Sequence, residues 1–509
     1  GATVTSTLYM TYPNTATSAT LNLNGGTPKS HIYGSNGNDT KMQNCTINVN
    51  QNFTTSSYIY SFDKLNIAQG VTFETKSYVI ANQYRTTGTN AAKGIVQFNG
   101  NSTFKDSGGY RPTVGGFEVN GEGNTLQTYS GGYPITVYGT APTGNGKLTV
   151  GPYASGAAAA AGNNLLYYST NRDQAKAGDY ISGFGGDLLI AADSATGYVK
   201  LAAPNIQVTD PDNTITKYIT LADALEAVKN HGTAGNYRVD LLKDYQPQAS
   251  EIPQKDISDI TTMTGFVQGM NITITGDPNK TGKGVYEFQI PGYTAFALPK
   301  KSQAHFIFKD IIIHELSHGT VLAANGSKLT MDTGVITTIT PANGGPYMQL
   351  VGGMGASDSN QKENSVVFEG NTDLTVKSGR YYIVSGGNGF YAHGGFVPQN
   401  NFIGNTKVTI EGTTQVDSYV SGGSSTVANG SQQFALTGNT EVNIKGGTVE
   451  TVSASVGGYP YPVNDSLTGT ATVNVEGGTI TTITASIAPA ANANIQNAIY
   501  NINADVSVA

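Results

Sequence analysis

The chain has 509 residues, a formal net charge of −7, a single cysteine (Cys45) and only five arginines, so no basic surface for nucleic acid is expected. No apolar run approaches the roughly 18–20 residues of a membrane span, and one cysteine excludes an intramolecular disulfide framework. Charged residues make up 12% of the chain and Gly 64 positions, whereas an ordinary α/β enzyme has about a quarter charged residues.

Residues 1–203 carry short apolar/polar alternations around Gly or Asn turns. Three such stretches are LNIAQGVTF (65–73), IVQFNGNSTF (95–104) and KLTVG (147–151). A period of two is typical of β-strands. The pattern therefore predicts an N-terminal β-solenoid segment over 1–203, with long insertions between its strands.

One amphipathic helix is predicted near 220–231. Thr220 is placed to cap it, Asp223 occupies the third helical position as in a capping box, and Gly232 is a stop signal. The apolar residues of one face have the spacing i, i+3, i+4 and i+7: Leu221, Ala224, Leu225 and Val228. We expect residues 204–232 to be a linker and a helix that caps a second solenoid, and packing on the side of that solenoid is the alternative.

The segment His314-Glu-Leu-Ser-His318 formally matches HExxH, the motif in which a helix brings two zinc-binding His to one face. The preceding run 305–313 alternates and is rich in Ile, and Gly319 follows at once, which predicts a strand and a turn instead. Residues four apart on a strand lie about 13 Å from each other, too far to chelate one ion. We therefore predict no metal site and no cofactor; Ca²⁺ is compatible with the composition, but no specific motif supports it.

Five stretches in the second half share one template, an alternating strand, a Gly turn and a second alternating strand. They are Lys328–Thr340, Thr372–Gly386, Thr406–Gly422, Thr440–Ser455 and Thr470–Ser486. Asn371, Asn405 and Asn439 open successive copies 34 residues apart. A 34-residue period also suits helix pairs, but the inner period of two with β-branched residues indicates strands. The pattern predicts a C-terminal β-helix over 233–509 with repeats of about 34 residues.

A resemblance to a known family rests on a succession of motifs. They are YITLADALEAV (218–228), LLKD (241–244), NITITG (271–276) and the copies of Asn-Thr-x-Val-x-Ile-x-Gly-Gly-Thr-Val. Over residues 215–486 this succession resembles the pectate-lyase-like right-handed β-helix regions of large surface proteins from Gram-positive gut and anaerobic bacteria. The resemblance implies a right-handed β-helix that serves as an adhesive or structural stalk, on a fold where some relatives cleave polysaccharides.

A polysaccharide lyase or hydrolase would need an Arg or Lys base with Ca²⁺-binding acids, or two acids across a glycosidic bond. The charged residues are too sparse for either arrangement, so no catalytic residue is predicted and the chain is not expected to be an enzyme. Binding of carbohydrate has another basis, because sugar rings stack on aromatic faces. The candidates in Gly-rich loops are Tyr381, Tyr382, Tyr391, Tyr459 and Tyr461. The alternative is that these rings shield the flank of the solenoid.

Both ends of the chain have strand-like, nearly uncharged sequences, over 2–22 and 492–508, and only Pro13 and Asp505 interrupt them. Strand edges of this kind pair with other chains unless charge or Pro blocks them. The candidate contact residues for strand exchange are Val4, Leu8, Tyr9, Leu21, Ile495, Ile499, Tyr500, Ile502 and Val506. Two open ends permit head-to-tail addition, which need not close and so yields a filament. The alternative is that each terminus folds back to cap its own molecule.

The expected fold is thus all-β, a right-handed parallel β-helix (β-solenoid) in two segments with one short helix. The expected function is that of an extracellular, cell-surface structural protein, a filament subunit or adhesive stalk that self-associates through its termini and has surface glycans as a further partner class. A carbohydrate-binding or polysaccharide-cleaving β-helix is the alternative. The chain begins at Gly1 rather than Met, as a processed export product would, although a chain cut at that point would look the same.

Overall fold

The chain is described from a computed structural model. The described residues are 7–10, 18–26, 28, 30–34, 44–81, 94–129, 134–152, 161–183, 187–247, 266–292, 295–299, 302–317, 319–340, 348–357, 365–392, 399–428, 432–455, 457–459, 463–486 and 493–503. They form mostly strands in parallel sheets, with one α-helix among them, so the all-β prediction is confirmed. The chain divides into two compact units, Gly1–Pro204 and Asn205–Ala509.

The described residues of unit 1 (Gly1–Pro204) form short strands and two 3-10 turns, Arg172–Gln174 and Ala177–Asp179. Its strands are β1 (Leu8–Tyr9), β2 (Ser18–Leu23), β3 (Ile32–Tyr33), β4 (Asn44–Val49), β5 (Phe53–Thr55), β6 (Ile59–Tyr60), β7 (Lys64–Ile67), β8 (Thr72–Thr75), β9 (Val79–Ile80), β10 (Ile95–Asn99), β11 (Thr103–Asp106), β12 (Thr113–Val114), β13 (Gly116–Asn120), β14 (Thr125–Thr128), β15 (Ile135–Val137), β16 (Thr143–Gly144), β17 (Leu148–Pro152), β18 (Asn164–Tyr168), β19 (Tyr180–Ser182), β20 (Leu189–Asp193) and β21 (Tyr198–Ala202).

Three sheets of unit 1 receive successive strands in rotation. Their strand orders are β1-β3-β6-β9-β12-β15-β18-β21-β20, β16-β13-β10-β7-β4-β2 and β19-β17-β14-β11-β8-β5. Neighbours pair in parallel, except where β21 pairs antiparallel with β18 and β20. Because alternate side chains of each strand point inward, parallel register stacks them in columns, and the buried residues of unit 1 form one core.

Unit 2 (Asn205–Ala509) contains the helix α1 (Leu221–His231) and the longer strands. Its strands are β22 (Ile206–Thr209), β23 (Ile215–Tyr218), β24 (Gly235–Leu241), β25 (Met270–Thr275), β26 (Glu287–Ile290), β27 (Ala295–Ala297), β28 (His305–Phe308), β29 (Ile311–Glu315), β30 (Val321–Ala323), β31 (Lys328–Met331), β32 (Val335–Ile339), β33 (Gln349–Val351), β34 (Gly355–Ser357), β35 (Ser365–Glu369), β36 (Thr372–Val376), β37 (Arg380–Ser385), β38 (Gly389–Ala392), β39 (Gln399–Ile403), β40 (Thr406–Ile410), β41 (Gln415–Ser421), β42 (Ser425–Ala428), β43 (Gln432–Thr437), β44 (Thr440–Ser453), β45 (Gly457–Tyr459), β46 (Val463–Thr484) and β47 (Ala493–Ile502).

The strands of unit 2 form a 19-stranded sheet, a three-stranded sheet (β26-β29-β32) and a four-stranded sheet (β34-β38-β42-β45). The main parallel ladder of the large sheet runs through β24, β25, β28, β31, β36, β40, β44, β46 and β47. Equivalent residues of successive sequence repeats lie opposite each other in this ladder. Thr372 lies opposite Thr406, and Thr406 lies opposite Thr440.

Three of the copies are preceded by Gly-Asn, at 370–371, 404–405 and 438–439, and the backbone geometry explains the glycine. Gly370, Gly404 and Gly438 have φ values of 142°, 144° and 142°, a region that favours glycine. A Cβ on Gly404 would lie 2.2 Å from the carbonyl oxygen of Gly370, so the backbones approach too closely for any side chain. The next residue closes the corner, since the backbone N–H of Asn405 donates to Oδ1 of Asn371 at 2.9 Å. Successive repeats are therefore held together by this contact.

The predicted helix is confirmed over Leu221–His231. The backbone N–H of Asp223 donates to Oγ1 of Thr220 at 3.0 Å, and Gly232 ends the helix in the left-handed conformation. The helix packs against β22 and β23 through its buried face, which consists of Leu221, Ala224, Leu225 and Val228. Strand β22 in turn pairs antiparallel with β24, the first strand of the parallel ladder.

Candidate assembly surfaces

Two apolar columns run the length of the main ladder in unit 2. The first consists of Tyr237, Ile272, Phe306, Leu329, Leu374, Val408, Val442, Val473 and Tyr500, and the second of Val239, Ile274, Phe308, Met331, Val376, Ile410, Ile444, Val475 and Ile502. Every member except the last of each column is at most 1% exposed. Tyr500 is 40% exposed and Ile502 is 51% exposed. The columns are therefore covered along their length and open at β47.

Strand β47 is also an open edge in terms of backbone pairing. Among the described residues it pairs with β46 alone and stands last in the sheet order. Its sequence, ANIQNAIYNI, contains no charged residue and no Pro. Charge and Pro are the usual means by which natural edge strands avoid pairing with other chains. The two preceding strands of the ladder do carry charged residues, and Lys445 on β44 forms an ion pair with Glu476 on β46 at 3.8 Å. The lack of charge therefore distinguishes β47 from these strands.

An asparagine ladder lies on the outer face of the same strands. Nδ2 of Asn474 donates to Oδ1 of Asn443 at 2.8 Å, and Nδ2 of Asn501 donates to Oδ1 of Asn474 at 2.8 Å. The amide of each later strand thus donates to the carbonyl oxygen of the strand before it. At the end of this ladder, Oδ1 of Asn501 has no donor among the described residues, and it is the next acceptor in the series.

The first strands of unit 1 repeat this arrangement at the other end of the chain. Leu21 lies opposite Ile47 and Leu23 opposite Val49, and both columns continue inward through β7, β10 and β13. Leu21 is half-buried, whereas Ile47 is fully buried. In the described part of the chain, β2 pairs with β4 alone and ends its sheet. Its sequence, SATLNL, is likewise free of charge and Pro.

The outer face of unit 1 carries a second asparagine ladder with the same direction. Nδ2 of Asn48 donates to Oδ1 of Asn22 at 2.8 Å, and Nδ2 of Asn66 donates to Oδ1 of Asn48 at 3.1 Å. A parallel step joins Nδ2 of Asn50 to Oδ1 of Asn24 at 2.8 Å. Within the described residues no acceptor faces Nδ2 of Asn22, so this ladder begins on a donor, whereas the ladder of unit 2 ends on an acceptor.

The terminal strands share one five-residue pattern, a small residue, a Thr or Ile, an apolar residue, Asn and an apolar residue. It occurs as ATLNL (19–23), CTINV (45–49), ATVNV (471–475) and AIYNI (498–502). Asn22 and Asn501 are not among the predicted contact residues, because those residues are all apolar or aromatic. The recurrence of apolar-Asn-apolar at both ends of the chain is the sequence pattern from which Asn22 and Asn501 could have been predicted.

The other predicted strand-exchange residues occupy several positions. Leu8 and Tyr9 form β1, an edge strand, and the Tyr9 ring stacks on Tyr33 with ring centroids 5.1 Å apart. Ile495 is half-buried opposite Leu467, and Ile499 is exposed opposite Thr472, on the outer face of β47. Val4 and Val506 lie outside the described residues.

The HExxH segment begins at the end of a strand, as the alternation before it predicts. His314 and Glu315 end β29 and point to opposite faces. The two ring nitrogens of His314 contact the hydroxyls of Thr338 at 3.1 Å and Thr340 at 2.9 Å, while Glu315 is fully buried. Glu315 therefore does not face the position where His314 would hold a metal, and His318 lies outside the described residues.

Glu315 is an unusual core residue, because it lies opposite Ile290 on one neighbouring strand and opposite Ile339 on the other. Its Oε1 accepts from the backbone N–H of Met348 at 2.6 Å, and its Oε2 has no partner among the described residues. Burial raises the pKa of Glu315 to about 8, so the carboxyl group is protonated at neutral pH.

The predicted carbohydrate-contact tyrosines receive little support. The expectation is wrong for Tyr381, because its side chain is fully buried and its hydroxyl donates to the carbonyl oxygen of Ser378 at 3.0 Å. Tyr382 is half-buried on the outer face of β37. Tyr391 and Tyr459 lie in β38 and β45, which are described for the backbone alone, and Tyr461 lies outside the described residues.

Among the described residues, the structure brings one His to two Asp of a turn, a grouping of potential metal ligands that the sequence does not predict. The side-chain oxygens of Asp210 and Asp212 and a ring nitrogen of His231 lie within 4.8 Å of one another. The two Asp belong to the turn before β23, and His231 is the last residue of α1. Asp212 also has a turn role, since its Oδ1 accepts from the backbone N–H of Thr214 at 3.0 Å. Only the packing of the helix end against the turn brings the His to the two Asp.

In the described part of the chain, no helix combines the length and the apolar character needed to cross a membrane. Comparison with protein-family models, curated proteins and solved structures found no match for this chain.

Proposed function

We propose that the protein is an extracellular structural protein whose copies add head-to-tail through their terminal strands to form a surface filament or stalk. The observation that carries the proposal is the open end of the two apolar columns at Tyr500 and Ile502. Burial of apolar surface stabilises association by about 25 cal/mol per Å² removed from water. A further strand placed on β47 would cover both side chains and satisfy the open backbone edge at the same time.

We further propose that each unit is a right-handed β-helix. The support is that successive strands of unit 1 enter three parallel sheets in rotation, and that the ladder of unit 2 takes one strand from each repeat. Connections between parallel strands of one sheet are right-handed in about 98% of cases. A β-helix adds rungs along one axis, so its two ends are the natural places for another copy to dock.

A second copy of the chain is the occupant that the terminal strands favour. Both β2 and β47 are free of charge and Pro, both carry Asn on the outer face, and both stand at the end of a parallel ladder. A contact between two different surfaces of identical copies is heterologous and does not have to close, so it can propagate into a filament. The extracellular location in this proposal rests on the resemblance of residues 215–486 to surface β-helix regions and on the low charge of the chain.

Negative-stain electron microscopy and sedimentation velocity of the full chain test the proposal. Ile502→Lys places a charge on the open column end and should abolish filaments and leave single molecules. Ile336→Lys is the matched control, because Ile336 is 52% exposed on β32, which belongs to the three-stranded sheet and not to the ladder that ends at β47, and this variant should still form filaments. Far-UV circular dichroism should show the same strand content in both variants. Filaments formed equally well by both variants, or by neither variant nor the unaltered chain, would contradict the proposal.

Carbohydrate binding is the weaker candidate function, because Tyr381 is buried and Tyr382 is half-buried among the candidates whose side chains are described.

A further inference from the structure

We infer that the strand that docks on β47 is β2 of the next copy, in parallel, with Tyr500 opposite Leu21, Asn501 opposite Asn22 and Ile502 opposite Leu23. This inference rests on the proposed head-to-tail assembly and specifies its surfaces, direction and register. Three features of the terminal strands lead to it.

The first feature is the match of inward-facing side chains. In unit 2 the inward positions of the last two rungs are Ala471, Val473 and Val475, followed by Ala498, Tyr500 and Ile502. In unit 1 the inward positions of the first two rungs are Ala19, Leu21 and Leu23, followed by Cys45, Ile47 and Val49. Each rung thus has a small residue and then two large apolar residues at the same spacing. Placing β2 after β47 would continue both columns with no change of pattern.

The second feature is the direction of the asparagine ladders. In both units Nδ2 of the later strand donates to Oδ1 of the earlier strand. At the proposed joint the later strand is β2 and the earlier strand is β47. Nδ2 of Asn22 would therefore donate to Oδ1 of Asn501. These are the donor and the acceptor at the ends of the two ladders, and among the described residues they have no partner in the series. One position further on, Asn24 and Asn503 would form the same pair.

The third feature is that symmetric alternatives do not fit these ends. Two β47 strands related by a two-fold axis would run antiparallel and would bring acceptor oxygens of Asn501 towards each other. Two β2 strands would instead bring donor groups of Asn22 together. Only a joint between unlike ends pairs a donor with an acceptor and keeps the strands parallel, and such a joint gives a filament with a direction.

Disulfide cross-linking between outward-facing residues tests the register and leaves the asparagine ladder intact. In the proposed register Ile499 lies opposite Thr20, and both residues are exposed. Paired residues on neighbouring strands are about 4.8 Å apart, within the range that a disulfide spans, whereas residues two positions out of register are about 7–8 Å apart. The background variant is Cys45→Ala, because Ala occupies the equivalent inward positions 19 and 471.

The experiment mixes two full-length variants with one cysteine each and follows covalent dimers on non-reducing gels. Thr20→Cys with Ile499→Cys should give dimers, whereas either variant alone should not. Ser18→Cys with Ile499→Cys, and Thr20→Cys with Asn497→Cys, are out of register by two residues in opposite directions and should show a loss of the dimer band. Electron microscopy of the same samples reports whether filaments are present.

The outcomes separate the inference from the proposed function. Filaments with cross-links only in the in-register pair support both. Filaments in which an offset pair cross-links best, or in which no pair cross-links, overturn the register and leave the head-to-tail proposal standing. Absence of both filaments and cross-links in all mixtures overturns the two together.

Discussion

Ile502 lies directly opposite Val475 in the parallel ladder, yet Ile502 is 51% exposed and Val475 is fully buried. The two residues occupy the same column and face the same direction, so the difference comes only from the strand that covers Val475 and that Ile502 lacks among the described residues. An inward-facing apolar side chain on the last strand of a ladder is left partly exposed to water. Its burial by a further strand is the physical basis of the proposed assembly.

The direction of the asparagine ladder leads to the first prediction. Asn22→Asp keeps the acceptor for Nδ2 of Asn48 and removes the donor that would face Asn501 of the next copy. We expect assembly to weaken by about 1–3 kcal/mol, or roughly 5- to 150-fold in the concentration needed for filaments, with the thermal stability of the single chain nearly unchanged. Light scattering against concentration measures the first quantity.

Asn236→Asp is the matched control for this variant. Asn236 is also the exposed first member of an asparagine pair, since its Oδ1 accepts from Nδ2 of Asn271 at 3.0 Å, and it lies on β24, at the opposite end of the main ladder of unit 2 from β47. This variant adds the same charge and should assemble like the unaltered chain. Equal weakening by both variants would mean that net charge, and not the pairing of Asn22, decides assembly.

Alternation and turn residues in the sequence were sufficient to predict the strands, the repeat and the helix. The period of two predicts strands correctly because a strand buried on one face must place its apolar side chains on alternate positions. The predicted helix face is also buried, and it consists of Leu221, Ala224, Leu225 and Val228. The Gly-Asn corners were visible as a repeat of Asn371, Asn405 and Asn439, although the close approach of glycine backbones became apparent only in the structure.

The side-chain contacts of the candidate surfaces depend on which strands pair and in which register, and a single sequence does not show this. Tyr381 stands in a Gly-rich stretch, but the register of β37 turns its side chain into the core. Hydrogen bonds between Asn side chains arise only when strands far apart in the chain align in register, as Asn443 and Asn474 do. For the same reason, the meeting of His231 with Asp210 could not be derived from their spacing.

Burial of Glu315 leads to a prediction about pH. The pKa of Glu315 is about 8 in the folded chain and near 4.5 in the unfolded chain, so the folded state binds the proton more tightly. Its contribution to stability is therefore fully present below pH 4.5 and is lost as the pH rises to about 8, a loss on the order of a few kcal/mol. Glu315→Gln should reduce this loss, which urea unfolding followed by circular dichroism at pH 5 and pH 9 would measure.

Two comparisons make the test of Glu315 specific. Glu287→Gln, on the neighbouring strand β26 and partly exposed, should leave the pH dependence in place. Burial also raises the pKa of Asp106 and of Asp240, so part of the slope should persist in Glu315→Gln. An unchanged slope in Glu315→Gln would show that this carboxyl group is not buried as described.

The close approach of glycines predicts a large effect from one methyl group. Gly404→Ala would place a Cβ 2.2 Å from the carbonyl oxygen of Gly370 at a φ of 144°, and we expect it to lower the free energy of unfolding by about 2–4 kcal/mol. Gly282→Ala has a φ of 76° with no atom within 4 Å of the added Cβ, so it should cost only about 1 kcal/mol. Similar unfolding midpoints for the two variants would argue against the tight corner.

The helix cap provides a smaller, independent test of unit 2. Thr220→Ala removes the oxygen that accepts from the backbone N–H of Asp223 and should destabilise the chain by about 1 kcal/mol. Thr220→Ser retains a hydroxyl oxygen at this position and should restore most of that stability. A loss of equal size in both variants would assign the effect to the missing methyl group of Thr220 instead of the cap.

Electron cryomicroscopy of the assembled full chain would show the joint between copies directly. We expect filaments in which β47 of one copy lies in parallel against β2 of the next, with Asn501 beside Asn22 and with Tyr500 and Ile502 buried at the joint. Particles that remain single at the highest attainable concentration, or filaments joined through surfaces other than these two strands, would contradict it.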